Sequence, residues 1–209
     1  MKTVGLMPRK TDITRARFRT HYEDRHAPLA ISKFPFDKYV RNHVVASDPD
    51  PVGFDCLSEF WVDQVDEIYR LMAGPIGDIM REDELRFTDQ PNIGPAVAEE
   101  TLVAGPPVVV ERGVVAKEIL LLRAAPGVSK DAFKNAVVAW GKELAAGSSQ
   151  IQRITFDTVV PFEGRPFPPV EGILYGWVTE GSGAVYNAQP PADIVVAGRI
   201  KAEHIETRF

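Results

Sequence analysis

Hydrophobic residues along this chain follow two alternating periods. Short runs with an apolar residue at every second position give way to longer stretches with apolar residues three and four apart. Residues 3–8 predict a short strand, and Thr11 and Asp12 offer capping oxygens ahead of a helix over 14–27. Pro28 lacks an amide donor and restrains the residue before it, so the helix should end or kink there. Strands are expected at 37–46 and, after the turn-rich residues 47–53, at 55–62. A helix near 64–73 and a strand near 83–88 complete the first half. The second half repeats the order: a strand at 115–123, a helix at 129–146, strands at 150–159 and 171–178, a short helix near 183–188 and a strand near 194–203.

The repetition extends to individual residues. A shift of 115 positions brings Leu6, Met7, Ile13, Thr14, Arg15, Phe18 and Arg19 onto Leu121, Leu122, Val128, Ser129, Lys130, Phe133 and Lys134. One further residue of shift brings Trp61-Val62 onto Trp177-Val178. The expected fold class is therefore α+β, with two ferredoxin-like repeats forming an α+β barrel within one chain. Residues 1–104 would make the first repeat and 105–209 a diverged second, joined near Gly105-Pro106-Pro107. A ligand would sit inside the barrel, between the two sheets. The same shift places His21 on Ala136 and His26 on Gly141, so the second repeat lacks these histidines.

Charge narrows the partners. The net charge is −5, and the first half carries all of the acidic excess, with 13 Lys and Arg against 18 Asp and Glu. A nucleic-acid partner, which needs a basic face, is not expected. The lone cysteine, Cys56, lies in an apolar strand-like run and reads as buried and structural; it permits no intramolecular disulfide. The first residues lack the apolar run of a signal peptide, and no window reaches transmembrane length, so a cytoplasmic protein with no membrane partner is expected.

Three of the four histidines lie within about two dozen residues, in Phe18 to Leu29 (FRTHYEDRHAPL) and Tyr39 to His43 (YVRNH). With Asp55 to Trp61 (DCLSEFW) and the acidic run Met80 to Asp89 (MREDELRFTD), these segments resemble the EthD family of the dimeric α+β-barrel superfamily. The resemblance covers about the first 90 residues. It implies a small protein of a catabolic or polyketide-type pathway. The wider superfamily includes polyketide cyclases, cofactor-free monooxygenases, isomerases and haem-dependent enzymes, so fold analogy alone does not choose a reaction.

The residues suggest a site of their own. Tyr22 and His26 are four apart and share a helix face, with His26 as an acid–base group or a helix-end histidine. Strand alternation groups Tyr39, Arg41 and His43 on one face, and Leu57, Glu59 and Trp61 on another. Both sets are expected to point into the barrel, where Glu59 would either orient an imidazole or close a structural bridge with Arg41. The expected catalytic set is His26, His43, Glu59 and Tyr39, with Tyr22, Arg41, Trp61 and Trp177 contacting substrate. His21, five residues from His26, lacks the spacing of a zinc-binding helix and reads as a surface or interface residue; no metal is expected. His204 reads as solvated, and Met80 to Asp89 as a charged edge strand or loop. Residues 161–170, with four prolines, read as an ordered loop able to cover a cavity, with Phe162 and Phe167 as aromatic walls.

These groups suit an enzyme without a cofactor that acts on a small oxygenated aromatic or cyclic substrate by dehydration, cyclisation or isomerisation. His26 would move the proton, Tyr39 or Tyr22 would donate to a carbonyl oxygen, and Glu59 with His43 would assist. The competing readings are a haem-dependent enzyme with a histidine ligand and a non-catalytic binding or auxiliary protein. Pairing into a homodimer is compatible with all three.

Overall fold

The computed structural model describes residues 1–63, 65–107 and 115–209. β1 (Lys2–Met7) leads to α1 (Arg15–His21), a π-helical turn (Tyr22–His26) and α2 (Ala27–Lys33). β2 (Lys38–Asp48), β3 (Cys56–Trp61), α3 (Val65–Met72), α4 (Pro75–Phe87) and β4 (Gly94–Ala104) complete the first half. The second half contains β5 (Val115–Ala124), α5 (Lys130–Gly147), β6 (Ile151–Pro161), β7 (Gly172–Val178) and β8 (Ile194–Arg208). Thr14 and Ser129 cap α1 and α5 by accepting from Arg17 N and Ala132 N.

The strands form one closed antiparallel barrel in the order β1-β3-β2-β8-β5-β7-β6-β4. This corrects the expectation of two ferredoxin-like α+β repeats. The β2–β8 and β4–β6 ladders make the strands of both halves a single continuous sheet without an edge. Helices are also few and unequal among the described residues: α1–α4 belong to the first half and α5 alone to the second. The helix expected at 183–188 is a series of turns, since Gly181 and Gly183 sit at φ of 74° and 66°, outside helical space.

The strand expected at 83–88 lies within α4. Gly77, Met80, Asp83 and Phe87 are buried along this helix at spacings of three and four, and Asp78–Arg81 and Glu82–Arg86 pair on its exposed side. The fourth strand of the first half is instead β4. Helix α4 crosses close to α3: a Cβ on Gly77 would lie 1.9 Å from Met72 O.

Three cores follow from strand alternation. Inside the barrel, Val4, Leu6, Leu57, Ile119, Ile173 and Ile200 fill one part. Outside it, Phe18, Tyr22, Tyr39, Cys56, Met80 and Phe87 pack the first-half helices onto β1–β3. Phe133, Val137 and Trp140 pack α5 onto the second-half strands. Cys56 is buried, as its apolar run implies. No helix among the described residues is long and apolar enough to cross a membrane.

Candidate functional site

The π-helical turn brings the histidines together. Ala27 N–H donates to Tyr22 O, five residues back, and Pro28 follows without a donor of its own. The helix therefore widens by one residue and runs on to Lys33 instead of ending at Pro28. In this wider turn, residues five apart come to one side. His26 Nδ1 lies 3.0 Å from Asp83 Oδ2, and His21 Nε2 lies 2.9 Å from Asp83 Oδ1. His21 is thus half-buried against α4 and not a surface residue, and His26 is buried within the helix and not at its end.

These contacts fix the imidazole tautomers. Burial alone would raise the proton affinity of Asp83, but the hydrogen bonds from His26 and His21 more than offset it and hold the carboxyl below its ordinary range. An ionised carboxylate only accepts, so Nδ1 of His26 carries the hydrogen and Nε2 of the neutral ring keeps its lone pair. Nε2 has no hydrogen-bond partner among the described residues and is not sealed within protein.

His26 lines a pocket of about 510 Å³, within the range of small-molecule sites. The pocket lies outside the barrel. Its floor is the outer face of β1 and β3, with Thr3, Gly5, Met7 and Phe60, and its sides come from α2, α3 and α4. The loop after β6 brings Phe162 and Arg165 to the rim. The walls are mostly apolar, with Phe34, Phe36, Met72 and Met80, while His26, Arg81, Glu84, Gln90 and Arg165 supply polar groups. The expected ligand place lay inside the barrel, whereas this pocket lies on its outer face.

The register between β2 and β3 explains why other expected residues do not reach this pocket. Val40 pairs with Glu59 and Asn42 with Leu57, so Val40, Asn42 and Val44 share the barrel face with Glu59. Tyr39, Arg41 and His43 point the other way, under the helices. There Tyr39 OH donates to Tyr22 OH at 2.8 Å, and Tyr22 OH lies 2.7 Å from Ser58 Oγ. Arg41 clasps Glu23 with Nε at 3.3 Å and Nη2 at 3.0 Å, and His43 Nε2 lies 2.7 Å from Glu23 Oε1. The Arg41–Glu59 bridge is therefore absent. None of Tyr22, Tyr39, Arg41 and His43 lines the pocket; Tyr22 supports it by packing edge-on against the His26 ring, centroids 5.0 Å apart.

Glu59 belongs to an ionic network inside the barrel. Lys2 Nζ lies 2.7 Å from Glu59, 2.6 Å from Asp157 and 3.0 Å from Glu100, and Lys117 Nζ lies 3.4 Å from Glu59. Burial opposes the Glu59 charge, but Lys117 and Lys2 more than offset it and hold the carboxyl ionised. Asp157, for which burial dominates, is pushed up to about 6. Asn42 donates to Glu59 at 2.8 Å and meets His204 Nδ1 at 3.0 Å. His204 is fully buried, not solvated. Trp61 stacks under Lys38 and Lys2, and Trp177 lies between Lys117 and Arg153. Glu59, Trp61 and Trp177 thus belong to the barrel interior, away from His26.

Of the expected catalytic and substrate-contacting residues, only His26 lines the pocket; Phe162, expected as an aromatic wall, lines it as well. Asp83, Glu84 and Arg165 were missed as site residues. The first two are hidden in the charged run 80–89, where the buried spacing of Gly77, Met80, Asp83 and Phe87 marks the inward face. Among the described residues, no group of three or more His, Cys, Asp or Glu could hold a metal ion.

Fold and pocket together define a closed antiparallel barrel with a ligand-sized cavity between its outer face and a helical layer. Residues 10–91 match the EthD domain family. No curated protein matches the chain. Among solved structures it is similar to a "putative monooxygenase from Lactobacillus acidophilus NCFM", with a TM-score of 0.52 at 11% identity, over 98% of this chain and 92% of that one. It is also similar to "Putative Chlorite dismutase TA0507", with a TM-score of 0.54 at 8% identity, over 98% of this chain and 94% of that one. At such identities the likeness shows a shared fold.

Proposed function

We propose that this protein is an acid–base enzyme that abstracts a proton from a small, largely apolar carbonyl compound in the strand–helix pocket. The observation that carries the reading is the His26–Asp83 contact. A buried carboxylate fixes the imidazole tautomer and leaves Nε2 as a base beside a cavity with apolar walls. Asp83 also stabilises the imidazolium that forms when Nε2 takes the proton. The aromatic walls suit a ring, and their apolar character strengthens the interaction of the few polar groups with a developing enolate. Lyase or isomerase chemistry follows from where the abstracted proton goes.

The test is exchange of the α-protons of phenylacetone in heavy water, followed by NMR. The wild-type protein should accelerate exchange and His26→Ala should abolish the acceleration. A wild type that binds phenylacetone without exchanging its protons would instead make the pocket a carrier.

A second reading rests on the same imidazole. A histidine backed by a carboxylate and offering Nε2 to an apolar cavity would also suit haem, which His26 would hold, with Arg165 as a nearby cation for its carboxylates. Haem would supply one-electron and oxygen chemistry when bound. A sharp Soret band on addition of haemin, lost in His26→Ala, would favour it; an unshifted haemin spectrum would dismiss it.

A further inference from the structure

We propose that Glu84 is the proton donor opposite His26, and that the reaction at this site is loss of water from a β-hydroxy carbonyl compound carrying an apolar ring. The inference rests on the acid–base reading of the pocket. Asp83 and Glu84 are neighbours on α4, and successive helical residues point about 100° apart. Asp83 goes behind His26, while Glu84 joins His26 in lining the cavity.

The two carboxyl groups have opposite surroundings. Asp83 receives a hydrogen bond from each of two imidazoles. Glu84 forms no ion pair among the described residues, and its one described side-chain hydrogen bond is from Gln90 Nε2 at 3.4 Å, near the limit of such a bond. Burial raises the proton affinity of Glu84, and the neighbouring Asp83 charge adds to it; the pull of His26, the Gln90 hydrogen bond and the Arg165 charge do not cancel the rise. One carboxyl is therefore biased towards the ionised form and the other towards the protonated one, the direction of division that acid–base pairs require.

The chemistry balances without any further reactant. His26 Nε2 takes the proton on the carbon next to the carbonyl, and the C–H electron pair becomes the new C=C bond. The bond from the β-carbon to its hydroxyl oxygen breaks with its pair, Glu84 transfers its proton to that oxygen, and water leaves. His26 ends as imidazolium and Glu84 as carboxylate, and proton transfer through solvent resets them. Arg165 donates to Ile93 O at 3.3 Å and has donors left for the carbonyl oxygen at the rim. Phe34, Phe36, Phe60 and Phe162 accept the ring.

The probe is the aldol adduct of benzaldehyde and acetone, which has a phenyl ring, a ketone and a β-hydroxyl. Elimination is read from the absorbance of the conjugated enone, and base action from α-proton exchange in heavy water. Glu84→Gln should slow elimination about 10²-fold more than it slows exchange. The alkaline limb of the elimination profile, set by loss of the Glu84 proton, should disappear in the same variant. Glu84→Asp keeps a proton donor and should retain part of the elimination rate. Elimination at the wild-type rate in folded Glu84→Gln overturns the role of Glu84 and leaves the base reading standing. Loss of both exchange and elimination in that variant overturns it too, since Glu84 would then serve the base step. A wild type with neither exchange nor elimination overturns the reading beneath.

Discussion

Asp83 receives a hydrogen bond on each carboxylate oxygen, from His26 Nδ1 at 3.0 Å and from His21 Nε2 at 2.9 Å. One helix thereby holds two imidazoles from another, and only His26 faces the pocket. Asp83→Asn removes the charge and offers a single acceptor. The fold should survive, while α-proton exchange falls by about 10²–10³-fold because the His26 tautomer is no longer fixed. Exchange kinetics with circular dichroism as a control measure this. His21→Gln should cost far less, since the His26 bond to Asp83 remains.

A pH dependence of stability follows from the Glu23 cluster. His43 is raised from 6.5 to about 9: burial opposes its charge, and Cys56 and Glu23 more than offset that. Its contribution is complete below pH 6.5 and is lost as pH rises towards 9. Glu23 is lowered from 4.5 to about 2, because hydrogen bonds from His43 and Arg41 outweigh its burial. Its contribution is complete above pH 4.5 and is lost as pH falls towards 2. The cluster therefore stabilises most between pH 4.5 and 6.5. Thermal unfolding midpoints should fall on both sides of that window, and His43→Leu should remove most of the alkaline decline.

The barrel interior predicts a large stability effect remote from the pocket. Lys2→Met leaves Glu59, Asp157 and Glu100 facing one another with less compensation. Removing one partner of a buried ion pair costs about 3–5 kcal/mol. Urea unfolding should show a loss of that order, and pairing the substitution with Asp157→Leu should recover part of it.

Gly77→Ala tests the geometry of the helical wall. The added methyl would meet Met72 O at 1.9 Å, so α3 and α4 must separate. A loss of about 1–3 kcal/mol is expected, with weaker phenylacetone binding, because Met72 and Met80 both line the pocket. Unchanged stability and affinity would show that the crossing adjusts freely.

The sequence carries the order of the strands more clearly than the facing of their side chains. Seven strands follow from alternation and turn residues, whereas β4 was displaced because 80–89 is too charged to read as a packed helix. β2 is buried on both faces, and each of its alternate sets mixes apolar and polar residues, so periodicity could not tell Tyr39-Arg41-His43 from Val40-Asn42-Val44. His204 was recoverable: it continues the inward face of Ile200 and Ala202. The His21–Asp83–His26 array was not, because it depends on a π-helical turn that makes a spacing of five behave as one face.

The most direct test of His26 as the base of the strand–helix pocket is a crystal structure with phenol, which mimics an enol, bound to the protein. The ring should lie between Phe60 and the α2–α4 helices, with its oxygen hydrogen-bonded to His26 Nε2. Phenol inside the barrel beside Glu59 and Lys117, with His26 untouched, would contradict it.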